Sequence, residues 1–245
     1  MDRFYAPDLL HPGDYQLTGS EAHHLAAVRR IGVGEKITLF NGDGQDYPAE
    51  VLSVSKKTVH LLVAEPVPTN RERQHPLWIA SALPKGDRLD FLVEKLTELG
   101  VTRFIPLVTE RSVVRPKADA VEKYARMVIE ASKQCGRAVL MAVEPPTSWE
   151  KFAARTDLPA KRLILHPSGT REALQTDRPA VFAVGPEGGF TEQEAATPGW
   201  TPASLGPTIL RIETAAIAAA CRAGRLDFIP TPGTAGVSPS KLYRL

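Results

Sequence analysis

Cysteine is scarce in this chain: Cys135 and Cys221 are the two among 245 residues. They lie far apart and fit no metal-ligand spacing, so a structural zinc or a disulfide framework is not expected. Both read as reduced structural thiols of a cytoplasmic protein. Long apolar runs are also missing. Nothing approaches the roughly 20 residues that cross a bilayer, and the start, with Asp2 and Arg3 and no apolar stretch, does not read as a signal peptide. There is no excess of one charge: 30 Lys and Arg face 28 Asp and Glu, a net charge of +2. That balance neither demands nor excludes nucleic acid; a local basic patch decides. No internal repeat is visible. Proline, by contrast, is plentiful at 21 residues. Hydrophobic content of 43% and charged content of 24% are ordinary for a soluble globular protein, long enough for two domains.

Residues 1–70 read as a small β-rich domain. Lys36–Phe40, Tyr47–Val54 and Thr58–Val63 are strand-like, with Asn41-Gly42-Asp43-Gly44 and Ser55-Lys56-Lys57 as the turns between them. One short helix is expected between Ser20 and Arg30, with Ala22, Leu25, Ala26 and Val28 partly lining a face. Short strands around one helix predict a compact barrel. Arg3, Phe4, His24, Arg29 and Arg30 gather there as candidates for phosphate contact and base stacking. Each taken alone also fits a plainer role at a helix end or in a core.

Pro66–Pro76 holds three prolines without apolar periodicity and reads as a linker, tightest over 71–76. Residues 77–245 then alternate strands and helices. Leu77–Leu83, Arg103–Val108, Lys161–Leu165 and Ala180–Val184 are buried strands. A helix carries Leu89, Leu92, Val93, Leu96 and Leu99 inward before Gly100, a second runs Ala118–Gln134, and helical stretches lie near Ser148–Ala154 and Glu172–Leu174. This alternation predicts an α/β fold with a mainly parallel sheet covered on both faces.

Two stretches concentrate the unusual residues. Val184-Gly185-Pro186-Glu187-Gly188-Gly189-Phe190 ends a strand in a turn rich in glycine, and Thr191 with Glu194 has the spacing of a capping box, so a helix follows. Strand, glycine turn, helix is the layout of a cofactor loop at the carboxyl edge of a sheet. Leu205-Gly206-Pro207-Thr208-Ile209-Leu210-Arg211-Ile212-Glu213-Thr214-Ala215 answers it, after a short strand at Ala203–Leu205 and before an alanine-rich helix. Taken singly, each glycine is explained by turn geometry.

Taken together, the two stretches resemble the SPOUT superfamily of S-adenosylmethionine-dependent RNA methyltransferases. Within it the chain is similar to the ribosomal RNA small subunit methyltransferase E family, which methylates N3 of a uridine in 16S rRNA. Lys85-Gly86-Asp87-Arg88, Glu94-Lys95, Glu98-Leu99-Gly100, Glu110-Arg111-Ser112 and Gln134-Cys135-Gly136-Arg137 share the likeness. The resemblance implies a C-terminal domain tied in a trefoil knot, a PUA-like RNA-binding barrel at the N-terminus, a homodimer, and a partner in 16S rRNA or the small ribosomal subunit. It implies S-adenosyl-L-methionine held by Leu165, His166, Gly185, Glu187, Gly188, Gly189, Leu205, Gly206, Ile209, Leu210 and Ala215. RNA contacts would extend to Lys85, Arg88, Arg111 and Arg115. No metal is implied.

Uracil N3 carries a proton at neutral pH and must lose it to attack. A carboxylate, or a water held by one, is needed to take it, and a cation to steady the anion. Arg211 is the candidate cation and Glu213 the candidate for positioning or base work, with Glu187 the other carboxylate in the motifs. Two roles stand open for Glu213, since a helix's first turn favours a carboxylate by its dipole alone. The surface ion pair is the alternative for Arg211. The sequence departs from the family in Ile212, where threonine is usual, and in the short 192–202 stretch with Pro198. Two other functions are weighed: an RNA-binding protein without catalysis, against which the intact glycine turn stands, and a dinucleotide enzyme, whose Gly-x-Gly-x-x-Gly or Walker spacing is absent. A methyltransferase acting on another RNA is the nearer alternative.

Overall fold

A computed structural model describes residues 2–8, 10–55, 57–69, 71–114, 120–171 and 174–223. The chain builds two sheets in succession. The first holds β1 (Arg3–Tyr5), β2 (Gly13–Thr18), β3 (Lys36–Phe40), β4 (Gln45–Val54), β5 (Thr58–Val63) and β6 (Val67–Pro68). Its order is β1-β3-β4-β5-β2, with β6 on β4. β1 runs parallel to β3 and the other pairs are antiparallel. Among the described residues no pairing joins β1 to β2, so the expected barrel is open in its hydrogen bonding. Ala22 and Leu25, from the helix after β2, join Phe4, Leu17, Ile37 and Leu61 in its core.

That helix is not one regular element. An α-helical turn, α1 (Gly19–His23), passes into a π-helical segment at His24–Arg29, which ends on Arg30 at a left-handed φ of 55°. The wider π turn breaks the 3.6-residue period on which the sequence expectation rested. Val28, expected on the inner face, is therefore exposed.

The second sheet holds β7 (Leu77–Ala82), β8 (Arg103–Val108), β9 (Ala142–Val143), β10 (Thr147–Ser148), β11 (Lys161–Thr170), β12 (Ala180–Val184) and β13 (Thr201–Ala203). Every pairing is parallel, in the order β10-β8-β7-β12-β11-β13 with β9 on β8. Its helices are α2 (Arg88–Glu98), α3 (Ala120–Cys135), α4 (Trp149–Ala153), α5 (Glu192–Ala195) and α6 (Ile212–Arg222). Strand residues alternate between two cores, as the pleat requires. Ile79, Phe104, Leu163 and Phe182 meet α2, α3 and α6 on one face, while Ala80, Ile105, Ile164 and Ala183 meet Trp149, Phe152 and Trp200 on the other. Strand β11 runs five residues beyond its expected end, and the short strand expected at Ala203–Leu205 lies at Thr201–Ala203. Glu172 and Ala173, expected to be helical, lie outside the described residues.

The segment expected as a linker is a clamp. Arg71 Nη1 donates to Asp46 Oδ2 at 3.0 Å and to the Gly136 carbonyl at 2.6 Å. Arg137, 2% exposed, donates to both Glu72 oxygens and to the Thr97 and Val101 carbonyls. Arg73 joins the Leu99 and Ala220 carbonyls at 2.8 and 2.6 Å, and burial lowers its guanidinium below the usual arginine range. Prolines at both ends hide this in the sequence, because nothing in a run of polar residues shows that each has a partner.

Candidate active site

An irregular stretch in the second half of β11 and the loops that leave the carboxyl ends of β12 and β13 meet around a cavity of about 360 Å³. This is where an open parallel sheet places ligands, and the volume lies within the range of small-molecule sites. β11 contributes Leu165, His166 and Pro167; β12 contributes Val184 through Phe190; β13 contributes Ala203 through Leu210; Ile212 and Ala215 of α6 and Arg111 complete the wall. All eleven residues expected at the cofactor lie on this lining. The floor is apolar and buried, with Val184, Ala203 and Ile212. The rim is polar and exposed, with Glu187, Gly188 and Thr208.

The glycines of the β12 loop have separate structural causes. An ideal Cβ on Gly185 would stand 2.9 Å from the Phe190 ring, so the absent side chain is what lets Phe190 fold under the turn. Gly189 takes φ 69° and donates its N–H to the Pro186 carbonyl at 2.8 Å, closing the turn in a conformation that favours glycine. At Gly188 a Cβ would meet Arg111 side-chain carbons at an ordinary 3.4 Å. Its carbonyl accepts from Arg111 Nη1 at 2.8 Å. The capping box is formed in full: Thr191 Oγ1 accepts from Glu194 N, and Glu194 Oε2 accepts from Thr191 N.

Arg211 is exposed at the residue preceding α6, next to the pocket wall. Among the described residues it has no ion-pair partner, so the alternative of a surface salt bridge finds no counterpart. Glu213 departs from expectation. It is 6% exposed, lies off the pocket lining, and its Oε1 sits 3.6 Å from Arg88 Nη1, while Oε2 has no hydrogen-bond partner. Ile212 and Ala215 occupy the pocket face of α6, so Glu213 falls on the face toward α2. Glu187 is the carboxylate on the lining. Ile209 lines the mouth and is 92% exposed.

Several RNA-contact candidates are spent inside the fold. Arg3 binds Asp46 at 2.6 Å, donates to the Arg137 carbonyl and covers the Phe40 ring. Phe4 is 1% exposed and unavailable for stacking. His24 is half-buried between Phe4 and Lys133. Arg88 is held by Glu213. Arg29, Arg30, Lys85 and Arg111 are exposed, Arg29 pairing with Asp2 and Arg111 with the β12 loop. Arg115 lies outside the described residues. Ser168 and Arg171, both beside the pocket and unmarked by any motif, escaped the sequence reading: Ser168 binds His166, and Arg171 Nη2 lies 3.2 Å from where a Gly206 Cβ would stand. Only a serine two residues after the histidine hinted at the first. Cys221 is exposed, not packed as a structural thiol. Among the described residues no group of three or more His, Cys, Asp or Glu is placed to hold a metal ion, and no helix is long and apolar enough to cross a membrane.

The fold and pocket define a class that comparison identifies. Residues 71–223 match the family model of the RNA methyltransferase domain, and residues 17–64 that of the RNA methyltransferase PUA domain. At the next level, the Ribosomal RNA small subunit methyltransferase E of Synechocystis sp. is 33% identical over 86% of this chain and 72% of its own length. Its Bacillus subtilis counterpart is 33% identical over 82% and 86%. The crystal structure of the Neisseria gonorrhoeae enzyme of that name, bound to S-adenosyl methionine, superposes with a TM-score of 0.82 at 32% identity, covering 90% of this chain and 95% of that one. The chain belongs to the ribosomal RNA small subunit methyltransferase E family.

Proposed function

We propose that this protein is an S-adenosylmethionine-dependent methyltransferase that methylates N3 of a uridine in 16S rRNA, in the cytoplasm and as a homodimer. The observation that carries the reading is the pocket itself: a strand bulge and two strand-end loops around an apolar floor, with one carboxylate on the lining and, beside it, an arginine without an ion-pair partner among the described residues. The pocket fits the cofactor in kind, since its floor suits an adenine ring and its glycine turn keeps side chains away from the wall. When bound, S-adenosylmethionine supplies an electrophilic methyl group. The chain's own residues bind, orient and manage charge. Arg211 steadies the uracil anion formed on loss of the N3 proton. Glu187, on the lining, accepts that proton directly or through a water, the role the sequence reading offered to Glu213. Glu213 instead braces α6 against Arg88 of α2.

Residues 1–70 then form the PUA-like domain and 77–245 the SPOUT domain. Arg29, Arg30 and Lys85 are the described candidates still exposed to RNA. A knot is supported by close packing at two places: an ideal Cβ on Gly169 would stand 2.3 Å from the Ala203 nitrogen, and beyond its first turn α6 buries only alanines, at Ala216, Ala219 and Ala220. Exposed Ile209, Val113 and Phe91 support burial against a second copy. Small subunits from a strain lacking this gene should gain N3-methyluridine when incubated with the protein and S-adenosylmethionine, read by mass spectrometry of digested rRNA. Methylation at another atom or in another RNA overturns the assignment.

A further inference from the structure

Ala203 of β13 is the register partner of two residues of β11, Leu165 and Thr170. The four residues between them, His166 to Gly169, therefore bulge out of the ladder and return to the same point. Bulges next to ligand sites re-aim side chains. This one is stapled down: the Ser204 N–H donates to the Thr170 carbonyl at 3.0 Å, and Gly169 lies against the Ala203 backbone too closely for any Cβ. His166, at the head of the bulge, is on the pocket lining.

Within the bulge, Ser168 approaches His166 Nδ1 twice, with its hydroxyl at 2.7 Å and its backbone N–H at 3.3 Å. A backbone amide can only donate. A proton on Nδ1 would face that N–H hydrogen to hydrogen, so Nδ1 is the acceptor and the ring proton sits on Nε2. The Ser168 hydroxyl donates to the same lone pair. Nε2 is then the ring nitrogen that Ser168 does not occupy, and in this tautomer it carries the N–H.

We propose that the His166–Ser168 bulge is a tautomer-setting device, which makes His166 Nε2–H a fixed hydrogen-bond donor to an oxygen of the molecule in the pocket. Ser168 is the positioning residue. The oxygen belongs either to S-adenosylmethionine, on its ribose or carboxylate, or to the target uracil, whose carbonyls take up charge when N3 is deprotonated. The proposal rests on the methyltransferase reading for its ligand, but not for the tautomer.

Long-range ¹⁵N–¹H correlation spectra of histidine-labelled protein without ligand read the tautomer directly, with His166 assigned by its loss in His166→Phe. The expected result is the Nε2–H form, with Ser168→Ala shifting the ring toward a mixture and Ser168→Thr restoring it. An Nδ1–H form overturns the proposal. In His166→Phe, a tenfold or greater loss of S-adenosylmethionine affinity assigns the cofactor oxygen; the same loss in kcat with affinity kept assigns the uracil oxygen. His166→Gln, which keeps an N–H donor, should recover most of either loss and controls for folding. Affinity and kcat of His166→Phe both within about twofold of the parent sink the donor role. A parent protein that neither binds S-adenosylmethionine nor methylates RNA defeats the methyltransferase reading, while the spectra still decide the tautomer.

Discussion

Arginines serve the junction between the two sheets and the mouth of the pocket in opposite ways. At the junction, Arg3, Arg71, Arg73 and Arg137 donate to Asp46, Glu72 and main-chain carbonyls, with Arg3 Nε left unpaired. At the pocket, Arg211 is exposed and without an ion-pair partner among the described residues. A guanidinium taken out of water must be answered by acceptors, or it costs stability. One left in water keeps its charge for a ligand. The comparison teaches that partners, more than burial, mark the difference: Arg71 is exposed and Arg137 buried, yet both are held by acceptors, whereas Arg211 is not.

The largest expected effect tests the junction. Arg137→Ala leaves Glu72 unpaired and takes a donor from the Thr97 and Val101 carbonyls, and should cost about 3 kcal/mol or more in urea denaturation. A loss below about 1 kcal/mol would show that water replaces the arginine and that the junction is looser than its bonds indicate.

Arg211→Ala is the mirror experiment. Stability should stay within about 0.5 kcal/mol, and S-adenosylmethionine affinity should change little, while kcat falls by roughly a hundredfold. If stability falls and activity persists, the two classes of arginine are not distinct.

The glycine turn refines the contrast at smaller scale. Gly185→Ala pushes against the Phe190 ring and should cost about 1–3 kcal/mol, whereas Gly188→Ala, with an ordinary contact and no left-handed φ, should be near neutral in stability. Thermal unfolding of the two variants gives the comparison. Equal melting points would mean that Phe190 moves aside freely.

The smallest effect lies at a surface network. The Asp157 carboxyl is held down at about 2 by hydrogen bonds from Arg155. For Glu144, burial pushes the carboxyl up, and hydrogen bonds from Arg155 and Arg103 pull it below its usual range. Groups lowered in the folded state stabilise it above about pH 4 and lose that contribution as pH falls toward 2. Arg155→Ala should therefore lower stability slightly near neutrality and flatten the acid limb, the two curves converging as pH falls toward 2, as read by unfolding at stepped pH.

Much of the architecture was legible because it follows from local rules. Leu89, Leu92, Val93 and Leu96 show the helical period, Ala180–Val184 is an unbroken apolar run, and Thr191 with Glu194 announces its own cap. The gathering of the pocket was legible through motifs: Gly185–Phe190 and Leu205–Ala215 converge because both follow strand ends of one parallel sheet. What stayed hidden depends on partners distant in sequence. Nothing near Arg3 reveals Asp46 or Arg137, so a buried ion pair looked like a phosphate contact. Glu213 and Ala215 are two residues apart, yet helical rotation turns one to α2 and the other to the pocket. The π-helical turn that exposes Val28 has no marker in His24–Arg29.

The same pairings set the order in which the molecule can be assembled. In the first sheet β3, β4 and β5 follow one another, so this half can form soon after it is made. β7 pairs Leu77 with Ala180, and Arg73 waits for the Ala220 carbonyl. Strand β7 must remain open on one side until β12 exists, and the clamp cannot close until α6 is in place. Such long-range closure is slow and leaves unpaired strand edges exposed meanwhile. Substitutions at Arg73 should therefore slow refolding as well as lower stability, and the second sheet is the part of this chain that most needs protection from aggregation as it emerges.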